Sequence, residues 1–194
     1  MKKVVSLFII FAMCASLFVA FTSCSSKHPV DEFFEKMENA DSYQMDITMS
    51  DIPLFGTLSF ATKVDGNIQY TPSVMFSEEE YTETVGDVTY KYTKDSSGKW
   101  TKTTVEVSDE ESDILAGQLE SLFVSDNFEK VDGEENTFKQ KSGVNFDNFE
   151  DVKITIAEDS CTIEMKANSE GMLMGVKIVV SKIGEIELTL PEVG

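Results

Sequence analysis

From Tyr43 onward the sequence alternates apolar and polar residues with a period of two, and turn residues interrupt the pattern at short intervals. Such a pattern restricts a chain to antiparallel strands joined by tight turns. Tyr43, Met45, Ile47 and Met49 share one face. After the break at Asp51-Ile52-Pro53, a second run follows in Leu54, Leu58, Phe60 and Val64, with Gly56 between them. Asp65-Gly66 is a hairpin signal. Short strands are then predicted at 67–71 and 74–77, around Tyr81, Glu83 and Val85, around Val88, Tyr90 and Tyr92, and at 99–107, which carries the only tryptophan, Trp100. This first part reads as a meander of six or seven strands. The later part continues it. A hairpin is expected over 128–131 and 137–141, then a loop or short helix over 144–151, then strands around Ile154 and Ile156 and through Cys161, Ile163, Met165 and Ala167. The stretch 172–183 is apolar on both faces, which predicts a central strand, and Ile186, Leu188 and Leu190 predict a last one, closed by Pro191.

Two segments carry the helical period instead. Val30, Phe33, Phe34, Met37 and Ala40 fall on one face of a helix predicted over 29–40. Pro29 suits its start, and Asp31 and Glu32 suit the positive end of its dipole. A second helix is predicted from Ser108, which has capping-box spacing to Glu111, with Ile114, Leu115, Leu119, Leu122 and Phe123 on one face and Gly117 in its middle. Strands in series with two helices give an expected fold class of α+β.

The start of the chain has a different grammar. Lys2 and Lys3 precede an apolar run over 4–21, which ends in Thr22-Ser23-Cys24. An uncleaved anchor helix of that length would sit at the lower edge of what spans a bilayer. A positive flank, an apolar core and a small-residue exit are the marks of a cleaved export signal. Phe21-Thr22-Ser23-Cys24 resembles a bacterial lipobox. The resemblance implies diacylglycerol on the Cys24 thiol, cleavage before Cys24, and often a third chain on the new amine. The expected organisation is a signal peptide over 1–23, a lipidated tether over 24–29 and one domain over 30–194. The expected location is the cell envelope, facing the periplasm or the exterior, with the membrane as partner through the anchor.

Charge narrows the partners. The chain carries a formal −19, and removal of two lysines with the signal leaves 14 lysines against 35 acidic residues. Such a body repels nucleic acid and anionic surfaces. No arginine is present, so the bidentate fork used for phosphate and carboxylate is missing. Of three cysteines, Cys14 leaves with the signal and Cys24 is acylated, so Cys161 stands alone as a small buried hydrophobe. The only histidine, His28, falls in the tether. The sequence has no Gly-rich phosphate loop, no His/Cys metal cluster and no EF-hand spacing among its acidic runs. The reading is a non-enzyme without cofactor or metal, and a monomer.

The order of helix, meander, helix and further strands is similar to that of the LolA/LppX-like lipoprotein superfamily. The likeness rests on Ser42-Tyr43-Gln44-Met45 after the first helix, Asp65-Gly66-Asn67, Gly86-Asp87-Val88-Thr89-Tyr90, Gly98-Lys99-Trp100, and the closing Gly184-Glu185-Ile186-Glu187-Leu188-Thr189-Leu190-Pro191. It implies a curved antiparallel sheet, a half-open barrel, with two helices packed on its concave side and an apolar cavity between them. The soluble carriers of that family lock their helical lid with an arginine, which this chain does not have. The implied cavity lining is Phe33, Phe34, Met37, Met45, Ile47, Met49, Leu58, Phe60, Tyr90, Leu115, Leu119, Leu122, Met165 and Met174. Methionines in strand-like stretches suit a pocket for variable apolar ligands and equally suit an ordinary core. The functional expectation is a membrane-anchored lipoprotein that binds a lipid or another apolar ligand; the alternative is an envelope protein–protein interaction module without a pocket.

Overall fold

The computed structural model describes residues 28–74, 78–86, 88–105, 124–146, 148–169 and 171–194. They form one helix, α1 (Pro29–Glu38), and eleven strands: β1 (Ser42–Ile52), β2 (Gly56–Asp65), β3 (Ile68–Thr71), β4 (Glu80–Val85), β5 (Val88–Lys94), β6 (Trp100–Val105), β7 (Phe128–Lys130), β8 (Thr137–Gln140), β9 (Phe149–Ile156), β10 (Cys161–Ser169) and β11 (Met172–Ser181). All strands join one antiparallel sheet in the order β6-β5-β4-β3-β2-β1-β11-β10-β9-β8-β7. The two runs of neighbours, β1 to β6 and β7 to β11, are meanders that meet at the β1–β11 pair.

The class is therefore mainly β. The expected α+β half-open barrel with two helices on its concave side is corrected to a single eleven-stranded antiparallel sheet carrying one helix among the described residues. The physical reason is the extent of the two periods: the period of two runs from β1 to β11, whereas the described helical period fills only ten residues. The helix predicted from Ser108, with Leu115, Leu119 and Leu122, lies outside the described residues.

The helix forms where its face was legible. His28 is its N-cap, its Nδ1 accepting the Val30 N–H at 3.3 Å, and Asp31 and Glu32 occupy the first turn. Val30, Phe33, Phe34 and Met37 are all buried against the sheet. At the far end Lys36 reaches the β9–β10 turn, donating to Asp159 Oδ1 at 3.2 Å.

Register sets what the helix covers. Phe60, Ile47, Ile178, Ile163, Ile154 and Phe138 lie directly opposite one another across six strands, β2-β1-β11-β10-β9-β8. The next row holds Thr62, Met45, Val180, Cys161 and Ile156. These rows and α1 form one contiguous core cluster. Cross-strand apolar pairs are worth roughly 0.2–1 kcal/mol each beyond Ala–Ala. Each fully buried large side chain adds about 1.5–3 kcal/mol.

The apolar side of the sheet changes between β2 and β3. On β1 and β2 the residues facing α1 are apolar (Met45, Ile47, Met49; Leu58, Phe60, Val64) except for Thr62. Continuing the register, the same face of β3–β6 carries Gln69, Thr71, Glu80, Thr82, Lys91, Thr93, Thr101 and Thr103. Ile68, Tyr70, Tyr81, Tyr90, Tyr92 and Trp100 stand on the opposite face. That second apolar face meets the carboxyl-terminal segment. The segment predicted as a last strand at Ile186, Leu188 and Leu190 is instead an extended strap. Gly184 N–H donates to Ser42 O, Ile186 N–H to Ser42 Oγ at 3.0 Å and Leu188 N–H to Asp65 Oδ2 at 2.7 Å. The strap ends beside β6, where Val193 bridges Trp100 and Gly194 N–H donates to Trp100 O. Ser42 and Asp65 face away from α1, so the strap crosses the tyrosine-bearing side, with Ile186, Leu188 and Leu190 half-buried and Glu185, Glu187 and Thr189 exposed.

Candidate functional site

Eight of the residues proposed from sequence to line a cavity are brought to one side of the sheet and buried there: Phe33, Phe34 and Met37 from α1, Met45, Ile47 and Met49 from β1, Met165 from β10 and Met174 from β11. Seven of them, all except Met174, belong to the cluster roofed by α1. Leu58 and Phe60 of β2 lie on the same side but are only half-buried, packed against the margin of the cluster with Ile52 and Val64. Tyr90 does not join them: its register partner Glu83 and the chain of pairs back to β1 place it on the opposite face. Leu115, Leu119, Leu122 and Cys24 lie outside the described residues.

The chemistry of this interior is apolar. Its buried polar member is Thr62 of β2, in the row of Met45, Val180 and Cys161. Cys161 is fully buried, and burial pushes its thiol up to about 12. It is protonated at neutral pH and is no nucleophile. His28 caps α1 and tilts against Phe138 with ring centroids 4.6 Å apart, which gives it a packing role at the helix start. Among the described residues no group of three or more His, Cys, Asp or Glu could hold a metal ion, and no helix is long and apolar enough to cross a membrane.

The strap-covered face is the second concentration of chemistry, and the sequence reading missed it as a unit. Tyr70 and Tyr81 lie 4.9 Å apart, and Tyr81 meets the Trp100 ring edge-on at 5.5 Å. Lys102 stands 3.8 Å from the Tyr90 ring centroid, and Lys94 stands 4.7 Å from that of Trp100. Glu83 accepts from the Tyr92 hydroxyl at 2.7 Å and from Lys102 at 3.2 Å, and these bonds hold its carboxyl below the usual value. Burial, then the nearby Glu79, pushes the Tyr70 hydroxyl up. The signal was present: Tyr81/Glu83, Tyr90/Tyr92 and Trp100/Lys102 each alternate in step. Read one strand at a time, however, they give no hint that the apolar side has switched.

A third feature is the β1–β2 turn, where Asp51, Leu54 and Gly56 all have positive φ and Leu54 is fully exposed. The sequence reading put the break at Asp51-Ile52-Pro53 and Leu54 in the run with Leu58, Phe60 and Val64; the structure places Leu54 in the turn, ahead of β2. No family model and no curated protein matches the chain.

Proposed function

We propose that the protein is an extracytoplasmic lipoprotein, tethered through acylated Cys24, that binds a lipid or similar apolar ligand without catalysing a reaction. The observation that carries the ligand part is the incomplete burial of Leu58 and Phe60 beside a fully buried, methionine-bearing interior. An acyl chain laid along β2 would extend that interior over the two side chains and displace water from them. On β1, Met49 directly opposite Leu58 and Met45 in the row beyond Phe60 can adjust rotamers to chains of different shape. The address rests on Phe21-Thr22-Ser23-Cys24 and the apolar run before it. Two or more acyl chains make such anchoring stable where one is marginal.

The test is organic extraction of the purified full chain followed by mass spectrometry of what is released. The wild type is expected to carry an extractable lipid beyond its covalent chains, and Phe60→Asp to carry none while remaining folded. A wild-type protein that releases nothing overturns the ligand reading. Independently, Cys24→Ala is expected to leave an unprocessed precursor; normal processing of that variant overturns the anchor.

A further inference from the structure

The carboxyl-terminal strap is joined to the sheet by a short, strained hinge. β11 ends at Ser181 and Gly184 N–H is already bonded to Ser42 O, so Lys182 and Ile183 alone lie between strand and strap. The chain reverses there in a turn closed by Glu185 N–H on Lys182 O at 3.1 Å. Two of its residues are left-handed, Lys182 at φ 53 and Gly184 at φ 79. Glycine takes that conformation freely, whereas a lysine takes it at a cost. Against that cost the hinge sets the bond from Lys182 Nζ to Gln44 Oε1 at 3.1 Å. Beyond the hinge the strap is seated as a separate peptide would be. Ser42 Oγ and Asp65 Oδ2 accept the N–H groups of Ile186 and Leu188, whose side chains are half-buried, and Val193 bridges Trp100. Nothing in these contacts depends on which copy of the chain supplies the strap.

We infer that the strap is exchangeable and that the partner of the tyrosine-bearing face is a second copy of this chain. With both hinges open, each strap seats on Ser42, Asp65 and Trp100 of the other copy. The occupant is given by the structure itself, because that face already holds this segment. Exchange keeps the strap contacts in both copies. It also frees each Lys182 to take extended backbone, so that β11 runs on past its present end. A short hinge under strain invites such exchange between identical chains. What opposes it is the loss of independent motion of two bodies, so pairing grows with protein concentration. The formal −19 makes two copies repel, so pairing also grows with salt. The inference stands apart from the ligand reading, since the Leu58 and Phe60 margin lies on the other face of the sheet.

The test uses the full chain in detergent. A chain with Lys99→Cys and a chain with Gly194→Cys are unfolded together in urea, refolded at high protein concentration and oxidised. A β-carbon at position 194 would lie 3.6 Å from Lys99 Cδ, so these two cysteines meet where a strap is seated. The control mixture replaces Gly194→Cys by Val124→Cys, an exposed position outside the strap, and the native cysteines are common to both mixtures. The expected result is a disulfide-linked pair on a denaturing gel, several times more abundant than in the control and rising with protein concentration and salt. Gly184→Ala puts a β-carbon at φ 79 with no atom within 4 Å, so it strains the closed hinge without a clash. Introduced into both chains, it is expected to raise the linked fraction about fivefold. A linked yield equal to the control overturns the inference. So does a dimer seen by light scattering that gives no 99–194 link, or a linked fraction that Gly184→Ala leaves unchanged.

Discussion

Cys161 shows how burial decides chemistry at a single residue. It sits directly opposite Val180 and Ile156 in the row below α1, and desolvation alone raises its thiol. In the native protein a maleimide at pH 8 is expected to leave Cys161 unmodified, with labelling appearing only as denaturant unfolds the sheet. Cys161→Ser places a hydroxyl where no water reaches and is expected to lower unfolding free energy by about 1–3 kcal/mol in a urea titration. Asp95 is the converse, a fully hydrated residue whose role is local. Its Oδ1 accepts from the Ser97 hydroxyl at 2.6 Å, the Ser97 N–H at 2.8 Å and the Lys99 N–H at 3.0 Å, closing the β5–β6 turn. These bonds, the Ser97 hydroxyl foremost, hold its carboxyl below the ordinary 3.8. A depressed carboxyl stabilises the folded form in full above its unfolded value and loses that contribution as the pH falls through the folded one. The wild type is therefore expected to lose more stability than Asp95→Asn as thermal melts are taken below pH 3.8, and to lose no more than it above.

At the scale of elements, α1 is held by its apolar face more than by its ten-residue length, which is marginal for a helix alone. Phe34 is 1% exposed and lies in the cluster with Phe33 and Met37. Phe34→Ala is expected to cost about 3–5 kcal/mol, read as a shift in the urea midpoint with little change in slope. This helix was legible because Val30, Phe33, Phe34 and Met37 write a helical stripe locally and because Pro29, Asp31 and Glu32 mark its start. Hairpins such as β7–β8 and β10–β11 were legible for the same reason: Asp132-Gly133 and the residues before Gly171 supply turn chemistry within a few positions. What stayed hidden is long-range. Ile186, Leu188 and Leu190 alternate as a strand does, yet the N–H groups of Ile186 and Leu188 meet Ser42 and Asp65 side chains across more than a hundred residues. Nor does alternation say which face is inward. Tyr90 and Phe60 look alike in sequence and stand on opposite sides, because the apolar side switches at the β2–β3 hairpin. Of the cavity residues, the core positions were recognisable as apolar and period-matched; their separation from Tyr90 was written only in register.

The whole molecule divides its stability unevenly. The described α1-roofed cluster draws on β1 and β7–β11, whereas β3–β6 rest on the aromatic face and the strap. Units with more buried apolar contact open less often. Native-state hydrogen exchange is accordingly expected to be slowest at Met45, Ile47, Ile163 and Ile178 and faster throughout β4–β6, by a factor of ten or more; equal protection across the sheet would contradict this division. The pairing of β1 with β11 has a consequence for how such a chain comes into being. The sixth strand across is the first to be made and the seventh is the last, so the middle of the fabric is a seam between the two ends of the thread. Until Ser181 has emerged from whatever channel delivers it, Gln44 to Ser50 present a bare row of amides and carbonyls with no partner. The fold cannot close while any part of that thread is still in transit, which is the condition a chain must meet if it is to cross a membrane unfolded and take its shape only on the other side.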